Sequence, residues 1–178
     1  MDKGKWWIVL VLVVLAVLDL NPFLWASDKI WMPSLHGLRE VYVEVGPLDP
    51  GIEKAGLTGK QLQTIAEQEL HKAGIKVLSD EQREKTRETA ILSVEINTEK
   101  QGSSTGMYDY HVLVLYYQTV LLERDPEIRT LAATWISGGE LGSAFDQDGF
   151  SSIKNSVRQQ VDEFLLAVLN SYLSVKSE

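Results

Sequence analysis

Asp109 and His111 have the residue types and the spacing that could support acid–base chemistry. Both belong to the run MYDYHVLVLYYQTVLLE, whose alternating pattern predicts a strand, and residues two apart on a strand point to the same face. A carboxylate beside an imidazole can move protons during catalysis if a pocket encloses the pair. A solvent-facing pair at the edge of a sheet would show the same spacing, so an exported enzyme is the third of the functions we consider.

Other residues that commonly bind metals or phosphates do not occur at the spacing such sites need. The histidines are expected in a linker, a helix and a strand (His36, His71 and His111). The sequence DQDG at 146–149 begins like a calcium-binding loop, but Val157 occupies the position of its closing glutamate. The sequence GGELG at 138–142 lacks the glycine order of a dinucleotide loop and the lysine of a phosphate loop. We therefore expect no metal, no cofactor and no catalytic site.

The composition restricts the classes of partner. The chain has 178 residues, a formal net charge of -8 at pH 7 and no cysteine. An acidic surface repels phosphate backbones and anionic lipid headgroups, which disfavours nucleic-acid binding and flat adsorption to an acidic bilayer. Without cysteine the chain has no disulfide framework, no thiolate metal site and no thiol for lipid attachment.

A long apolar segment near the amino terminus has the length of a membrane span. Trp6–Leu18 is continuously apolar over thirteen residues, about 20 Å of helix, and the run to Trp25 covers twenty residues, about 30 Å. The longer figure matches the hydrocarbon thickness of a bilayer. Tryptophans lie at both ends (Trp6, Trp7 and Trp25), as in the aromatic belts of membrane proteins. We predict a transmembrane signal anchor over residues 1–26.

The charges around this segment predict its orientation. Lysines at positions 3 and 5 precede it, so the positive-inside bias places the amino terminus in the cytoplasm and the rest of the chain outside. Asp19 would lie near the outer edge of the membrane, where a carboxylate can reach the headgroups. A cleaved signal peptide is the alternative, because Pro22 breaks the helix and residues 24–26 (LWA) partly resemble a cleavage site.

The remainder of the chain predicts one α+β domain over residues 38–178, joined to the anchor by a connector over residues 27–37. Strands are expected at LREVYVEVG, IKVLS, TAILSVEIN, MYDYHVLVLYYQTVLLE and RTLAATWI, and loops at PLDPG, DEQREKTRE and SGGELGSAFDQDG. Helical periodicity runs from Thr58 to Ala73 and from about Ser152 to Tyr172. This β-α-β-β-β-α order predicts a two-layer sandwich, with a mixed sheet, a parallel first crossover and the helices mostly on one face.

The long fourth strand carries apolar residues on both of its faces. One set can pack on the helices (Val112, Val114, Tyr116 and Val120). Leu113, Leu115 and Tyr117 form the other set, which a two-layer domain would leave in water. We predict that these three residues, together with Trp135, bind a partner. Cover by the chain's own connector around Trp31 is the alternative.

The element order and phrases such as GLTGKQLQTIAEQELHKAGIKVL resemble two bacterial envelope domains. They are the lipopolysaccharide-assembly lipoprotein of the outer membrane and the amino-terminal domain of the TolB type. The resemblance covers Leu38 to Leu173 and implies a non-catalytic envelope module that acts by protein contacts. The assembly lipoproteins carry a lipobox cysteine, which this chain lacks, so a lipid-anchored role does not carry over.

These features lead to two main hypotheses. The first is a single-pass protein of the bacterial inner membrane, whose domain lies in the periplasm and acts as an accessory or scaffolding subunit among other subunits of a membrane complex. Its membrane contacts would come from the anchor residues (Trp6, Trp7, Asp19, Pro22 and Trp25). The second is a cleaved, soluble periplasmic module that binds a lipid or small ligand between sheet and helices. Both are compatible with a homo-oligomer.

Overall fold

The computed structural model describes residues 32–86, 90–103 and 105–174. Within these ranges the chain is an α+β domain with one mixed sheet of six strands and with four α-helices. The predicted anchor, with Trp6, Trp7, Asp19, Pro22 and Trp25, lies outside the described residues, as does Trp31 of the connector. Among the helices of the described ranges, none is both long and apolar enough to cross a membrane.

The elements follow one another with short links. The strands are β1 (Glu40–Val45), β2 (Lys76–Val77), β3 (Ile91–Gln101), β4 (Met107–Leu122), β5 (Asp125–Ile136) and β6 (Glu140–Phe145). The helices are α1 (Pro50–Lys54), α2 (Gly59–Lys72), α3 (Asp80–Lys85) and α4 (Ser151–Ser174). Short 3-10 helices cover Met32–Leu35 and Asp146–Asp148.

The sheet has the order β2-β1-β3-β4-β5, and β6 also pairs with β4. β1 is parallel to β2 and to β3, whereas β4 is antiparallel to β3, β5 and β6. The parallel pairing across the first crossover and the long β3–β4 hairpin, both predicted from the sequence, are thus confirmed. β5 and β6 lie end to end along one side of β4, against Leu115–Leu122 and Met107–Val112 respectively.

Local sequence explains where α2 begins and ends. The Thr58 hydroxyl accepts a hydrogen bond from the Gln61 N–H at 3.3 Å, and the Gln61 side chain accepts one from the Thr58 N–H at 3.3 Å. This capping box satisfies two backbone groups that the first turn leaves free. After the helix, Gly74 adopts φ +78°, a conformation that glycine reaches without steric cost. Both ends were predictable because these signals are local.

The core lies between one face of the sheet, here called the inner face, and helices α2 and α4. The buried side chains of the sheet include several from β1, β3 and β4 (Val41, Val43, Leu92, Val94, Val112 and Val114). Phe164 of α4 is fully buried, and its ring centroid lies 5.5 Å from that of Tyr116 and 5.2 Å from that of Trp135. The predicted position of the two long helices on one face is confirmed.

The segment SGGELGSAFDQDG is not the loop that its glycines indicate. It contains β6, in which Gly142 pairs with Tyr110 of β4. A Cβ atom at position 142 would come within 2.6 Å of the Tyr110 phenol oxygen, so the glycine makes room for a tyrosine ring. The prediction was wrong because a glycine required by close packing looks, in sequence, like one required by a turn.

Two shorter segments also contain helices where loops were predicted. PLDPG leads into α1, which Asp49 caps by accepting a hydrogen bond from the Gly51 N–H at 2.7 Å. DEQREKTRE contains α3, which begins at a capping box between Ser79 and Gln82. Neither helix has an apolar period, because five or six residues are too few to display one.

Candidate interaction surfaces

The outer face of the sheet, opposite α2 and α4, carries a row of apolar side chains that crosses three strands. Cross-strand pairing places Leu115 beside Ile136, and His111 beside Leu141. Leu141 is 79% exposed, Leu131 is 52% exposed and Ile136 is 47% exposed. Several exposed apolar side chains on neighbouring strands of a folded domain are typical of a binding surface.

The predicted partner-binding residues separate into two groups. Leu113 and Tyr117 are half-buried on the outer face, and Leu115 lies between them with 8% exposure. Trp135 does not belong to this surface, since it is buried on the inner face against Phe164. The register of β5 slips beside Tyr116 and Tyr117, and this irregularity places Trp135 opposite the inward-facing Tyr116.

The junction between β5 and β6 is a bulge fixed by α4. The Ser137 N–H donates to the Val114 carbonyl at 2.9 Å, and the Ser137 hydroxyl accepts from the Val114 N–H at 3.0 Å. The N–H groups of the next two glycines donate to α4 side chains, from Gly138 to Glu163 and from Gly139 to Gln160, each at 3.0 Å. Two strands and a bulge therefore present one continuous edge beside β4, and α4 holds it in place.

Sequence reasoning missed the exposed residues that this edge contributes. Ile136, Leu141 and Phe145 complete the apolar row, with Phe145 paired to Met107 of β4. The alternation of Leu141, Ser143 and Phe145 was an available strand signal, although the surrounding glycines concealed it.

Asp109 and His111 do lie on one face, as predicted, but their surroundings are structural. The Asp109 carboxylate accepts hydrogen bonds from the Gln101 amide at 2.6 Å and from the Ser143 hydroxyl at 2.6 Å. These bonds link β3, β4 and β6 and occupy both carboxylate oxygens. His111 packs beside the backbone of Gly139, where a Cβ atom would lie 2.7 Å from its Nε2 atom. The arrangement stabilises the sheet more directly than it supports proton transfer.

The histidines lie in three separate places. His36 is exposed and its ring centroid lies 4.8 Å from that of Tyr172, whereas His71 is exposed in the last turn of α2. Within the described ranges, no three histidine or carboxylate side chains converge in a way that could hold a metal ion.

The described part of the connector packs on the inner face. The Ser34 hydroxyl donates to the Thr134 carbonyl at 3.0 Å, and the Gln118 amide donates to the Ser34 carbonyl at 3.1 Å. Leu35 is fully buried in the core. Residues 32–37 therefore cover the inner face, and the part of the connector around Trp31, proposed as an alternative cover, lies outside the described residues.

A short helix contacts the outer face at the far edge of the sheet. The Tyr42 hydroxyl of β1 donates to Asp80 of α3 at 2.8 Å, and the Arg83 guanidinium lies 4.4 Å above the Tyr42 ring centroid. Arg83 also pairs with Glu44 at 3.3 Å. The hydrogen bond to Asp80, with burial as a smaller cause, raises the pKa of Tyr42. α3 is thus held to β1 by polar contacts and leaves the apolar row on β4 to β6 open.

A second apolar surface lies at the carboxyl end of α4. A groove of about 770 Å³ runs between this end of the helix, the start of β1 and the turn after α2. Its lining is mainly apolar (Leu38, Ile75, Leu165, Leu166, Leu169 and Tyr172), and Arg39 and Asp162 also line it. The sequence contained a signal for this surface, because the last turns of α4 carry no charged residue and have leucines outside the stripe that faces the core.

Comparisons with known proteins give distant structural likenesses. No protein-family model and no curated protein matches the chain. It is similar to a point variant of the PelC dodecamer from Paraburkholderia phytofirmans, with 14% identity over 74% of this chain and 88% of that one and a TM-score of 0.41. It is also similar to a minor lipoprotein from Acinetobacter baumannii, with 9% identity over 74% and 90% of the two chains and a TM-score of 0.39.

A further likeness is to rare lipoprotein B from Shewanella oneidensis, with 8% identity over 78% of this chain and 99% of that one and a TM-score of 0.39. Scores of this size assign neither a family nor a role to the chain. The particular envelope relatives expected from the sequence therefore stay a prediction.

Proposed function

We propose that the chain is a non-catalytic accessory subunit of a bacterial membrane protein complex, anchored in the inner membrane by residues 1–26. Its domain would lie in the periplasm and bind its partner through the outer face of the sheet. The observation that carries this proposal is the apolar row on that face, in which Ile136 and Leu141 are exposed and Leu113 and Tyr117 are half-buried.

The composition of the outer face suits contact with a protein. Polar side chains on β3 and β4 border its apolar centre. Glu95 pairs across the strands with Leu113, Asn97 pairs with His111, and Glu99 pairs with Asp109. An apolar centre with a polar rim is the common arrangement of protein–protein interfaces.

The test is recovery of the chain from native membranes under mild solubilisation, with measurement of its intact mass and identification of everything that copurifies. We expect the full-length mass in the detergent fraction, together with a companion at a fixed ratio. A second copy of the chain would count as a companion. A species that begins near residue 27, free in the periplasmic extract, would contradict the anchored subunit.

The role of the outer face is tested by a pair of matched variants. Ile136→Lys places a charge in the centre of the apolar row and should release the companion. Ile128→Lys changes a similarly exposed isoleucine, 43% accessible, at the far end of the same strand, and should retain it. Retention of the companion by both variants, with the fold intact, would exclude the outer face as the binding surface.

A second candidate function is favoured by the groove beside α4. If the amino-terminal segment is removed, the chain would be a soluble periplasmic module, and a groove of about 770 Å³ with apolar walls lies in the size range of ligand sites. Retention of a lipid by the clipped chain after purification in the absence of detergent would support this function over the first.

A further inference from the structure

The last turns of α4 differ in composition from the rest of the helix. Residues 164–174 read FLLAVLNSYLS and contain no charged side chain, whereas the preceding turns carry Lys154, Arg158, Asp162 and Glu163. Leucines in this uncharged part point into solvent, with exposures of 56% for Leu166, 57% for Leu169 and 61% for Leu173. These three leucines lie at helical spacing and form one exposed apolar stripe. Exposure of such a stripe to water is unfavourable, which indicates that something covers it.

The stripe and the groove form one surface. Leu166 and Leu169 belong to both, and the opposite wall of the groove is made by Leu38 and Ile75. We call this combined area the α4 surface. Leucines dominate its lining, and the charged residues that also line it are Arg39 and Asp162.

The chain enters the domain beside the α4 surface. The 3-10 helix Met32–Leu35 packs against α4, and the ring of His36 lies 4.8 Å from that of Tyr172. The Tyr172 hydroxyl donates to the Leu38 carbonyl at 3.3 Å, and both of these residues line the groove. Met32, the first described residue, therefore begins an element that packs at the end of the domain carrying this surface.

The length of that segment limits the distance between the domain and the membrane. From residue 26, where the predicted anchor ends, to Met32 there are six residue steps, which span at most about 21 Å of extended chain. An anchor in the bilayer would thus hold this end of the domain within reach of the headgroup and acyl boundary. A surface rich in exposed leucine is chemically matched to that boundary.

We propose that the α4 surface rests on the bilayer, with Leu166, Leu169 and Leu173 in contact with lipid. This proposal rests on the proposed function, because the anchor supplies the proximity. It is consistent with the acidic charge of the chain, which opposes electrostatic adsorption, since the contact is made by an uncharged patch held at the membrane by a covalent tether. High salt should accordingly not release the contact, because no attraction between charges holds it in place.

The absence of cysteine from the sequence makes a site-specific test direct, because one introduced cysteine is the only thiol. The full chain with Leu169→Cys would be labelled with bimane and reconstituted in phosphatidylcholine nanodiscs, with doxyl groups on the acyl chains as lipid quenchers and iodide as the aqueous quencher. Leu173→Cys repeats the measurement at a second position of the stripe. Leu141→Cys, on the outer face of the sheet, is the matched control.

We expect doxyl lipid to quench the label at 169 and 173 severalfold more than the label at 141, and iodide to quench in the opposite order. The same pattern in nanodiscs containing phosphatidylglycerol and at high salt would support an apolar contact. Equal access of iodide to all three labels would overturn the proposal. So would protection at 169 that depends on protein density in the disc, since this would identify a second copy as the occupant.

The experiment distinguishes failure of the bilayer contact from failure of the proposed function. A chain that is retained in the disc but exposes position 169 to iodide keeps its anchor and loses only the bilayer contact. A chain that leaves the disc after loss of its amino-terminal segment contradicts the anchored subunit and the bilayer contact together.

Discussion

On the inner face of β4, Val112, Val114 and Tyr116 are almost fully buried, whereas on the outer face Leu113 and Tyr117 are only half-buried. Both sets are apolar and alternate along the same strand. They differ in what covers them, since α4 closes the inner face and the short polar helix α3 reaches only the β1 edge of the outer one. An apolar pattern along a strand therefore shows which side chains can be buried. Whether they are buried depends on whether a helix or another element packs on that face of the sheet.

Among substitutions that shorten a side chain, the largest expected difference between the two faces is in the cost of removing a large apolar group. Phe164→Ala empties a fully buried site beside Tyr116 and Trp135, and should lower the free energy of unfolding by about 3 to 5 kcal/mol. Leu141→Ala on the outer face is the matched control and should cost less than about 0.5 kcal/mol. Urea unfolding of the full chain in detergent, followed by circular dichroism, measures both, and equal losses would contradict the assignment of inner and outer faces.

The second prediction concerns alkaline pH on the inner face. Burial raises the pKa of Tyr116 to about 12 from a usual value of 10. Between these values the unfolded chain loses this proton and the folded chain keeps it, so the contribution to stability is complete below pH 10 and is lost as the pH rises towards 12. The loss should reach at most about 3 kcal/mol.

Tyr116→Phe isolates this effect, because it removes the ionisable hydroxyl and leaves the ring. The free energy of unfolding of the variant should fall less steeply than that of the parent between pH 10 and pH 12, while other titrating groups such as Tyr42 are common to both. Parallel curves for the two proteins would show that the Tyr116 hydroxyl is accessible to water in the folded state.

The third prediction compares two tyrosines of β4. The Tyr110 hydroxyl forms a buried hydrogen bond of 2.9 Å with that of Ser156 on α4, so Tyr110→Phe leaves the serine hydroxyl without this bond and should cost about 1 to 2 kcal/mol. Tyr117→Phe, on the outer face, should change stability by less than about 0.5 kcal/mol. Urea unfolding of the two variants under identical conditions measures both changes in the free energy of unfolding. A larger decrease for Tyr117→Phe than for Tyr110→Phe would contradict the prediction.

Much of this arrangement could be predicted from the sequence, because the signals are local. Thr58, Gln61 and Gly74 delimit α2 through hydrogen bonds and backbone conformation that span only a few residues. The alternation of β3 and β4 predicted their hairpin and, with it, the common face of Leu113, Leu115 and Tyr117. The anchor over residues 1–26 stays a prediction.

Features that depend on contacts distant in sequence could not be predicted. Gly142 lies in a strand paired with β4 and leaves room for the Tyr110 ring, and Tyr110 is 32 residues away in the sequence. Trp135 faces inward because the register of β5 against β4 shifts beside Tyr116 and Tyr117. The alternation of residues within β5 gives no indication of this shift. The exposure of Leu169 depends on where α4 ends relative to the sheet, which is a property of the packed domain.

A charge introduced on the outer face should have the smallest effect on the free energy of unfolding. The same substitution tests whether that face is needed for folding or for binding. Leu141 is 79% exposed, so Leu141→Lys keeps its ammonium group in water and should change the free energy of unfolding by less than about 0.5 kcal/mol. Val114→Lys at a fully buried position of β4 should prevent folding, because its charge would lie in the core. If Leu141→Lys unfolds as readily as Val114→Lys, the outer face is part of the core of an obligate assembly; if it folds normally and loses its companion, the apolar row serves binding alone.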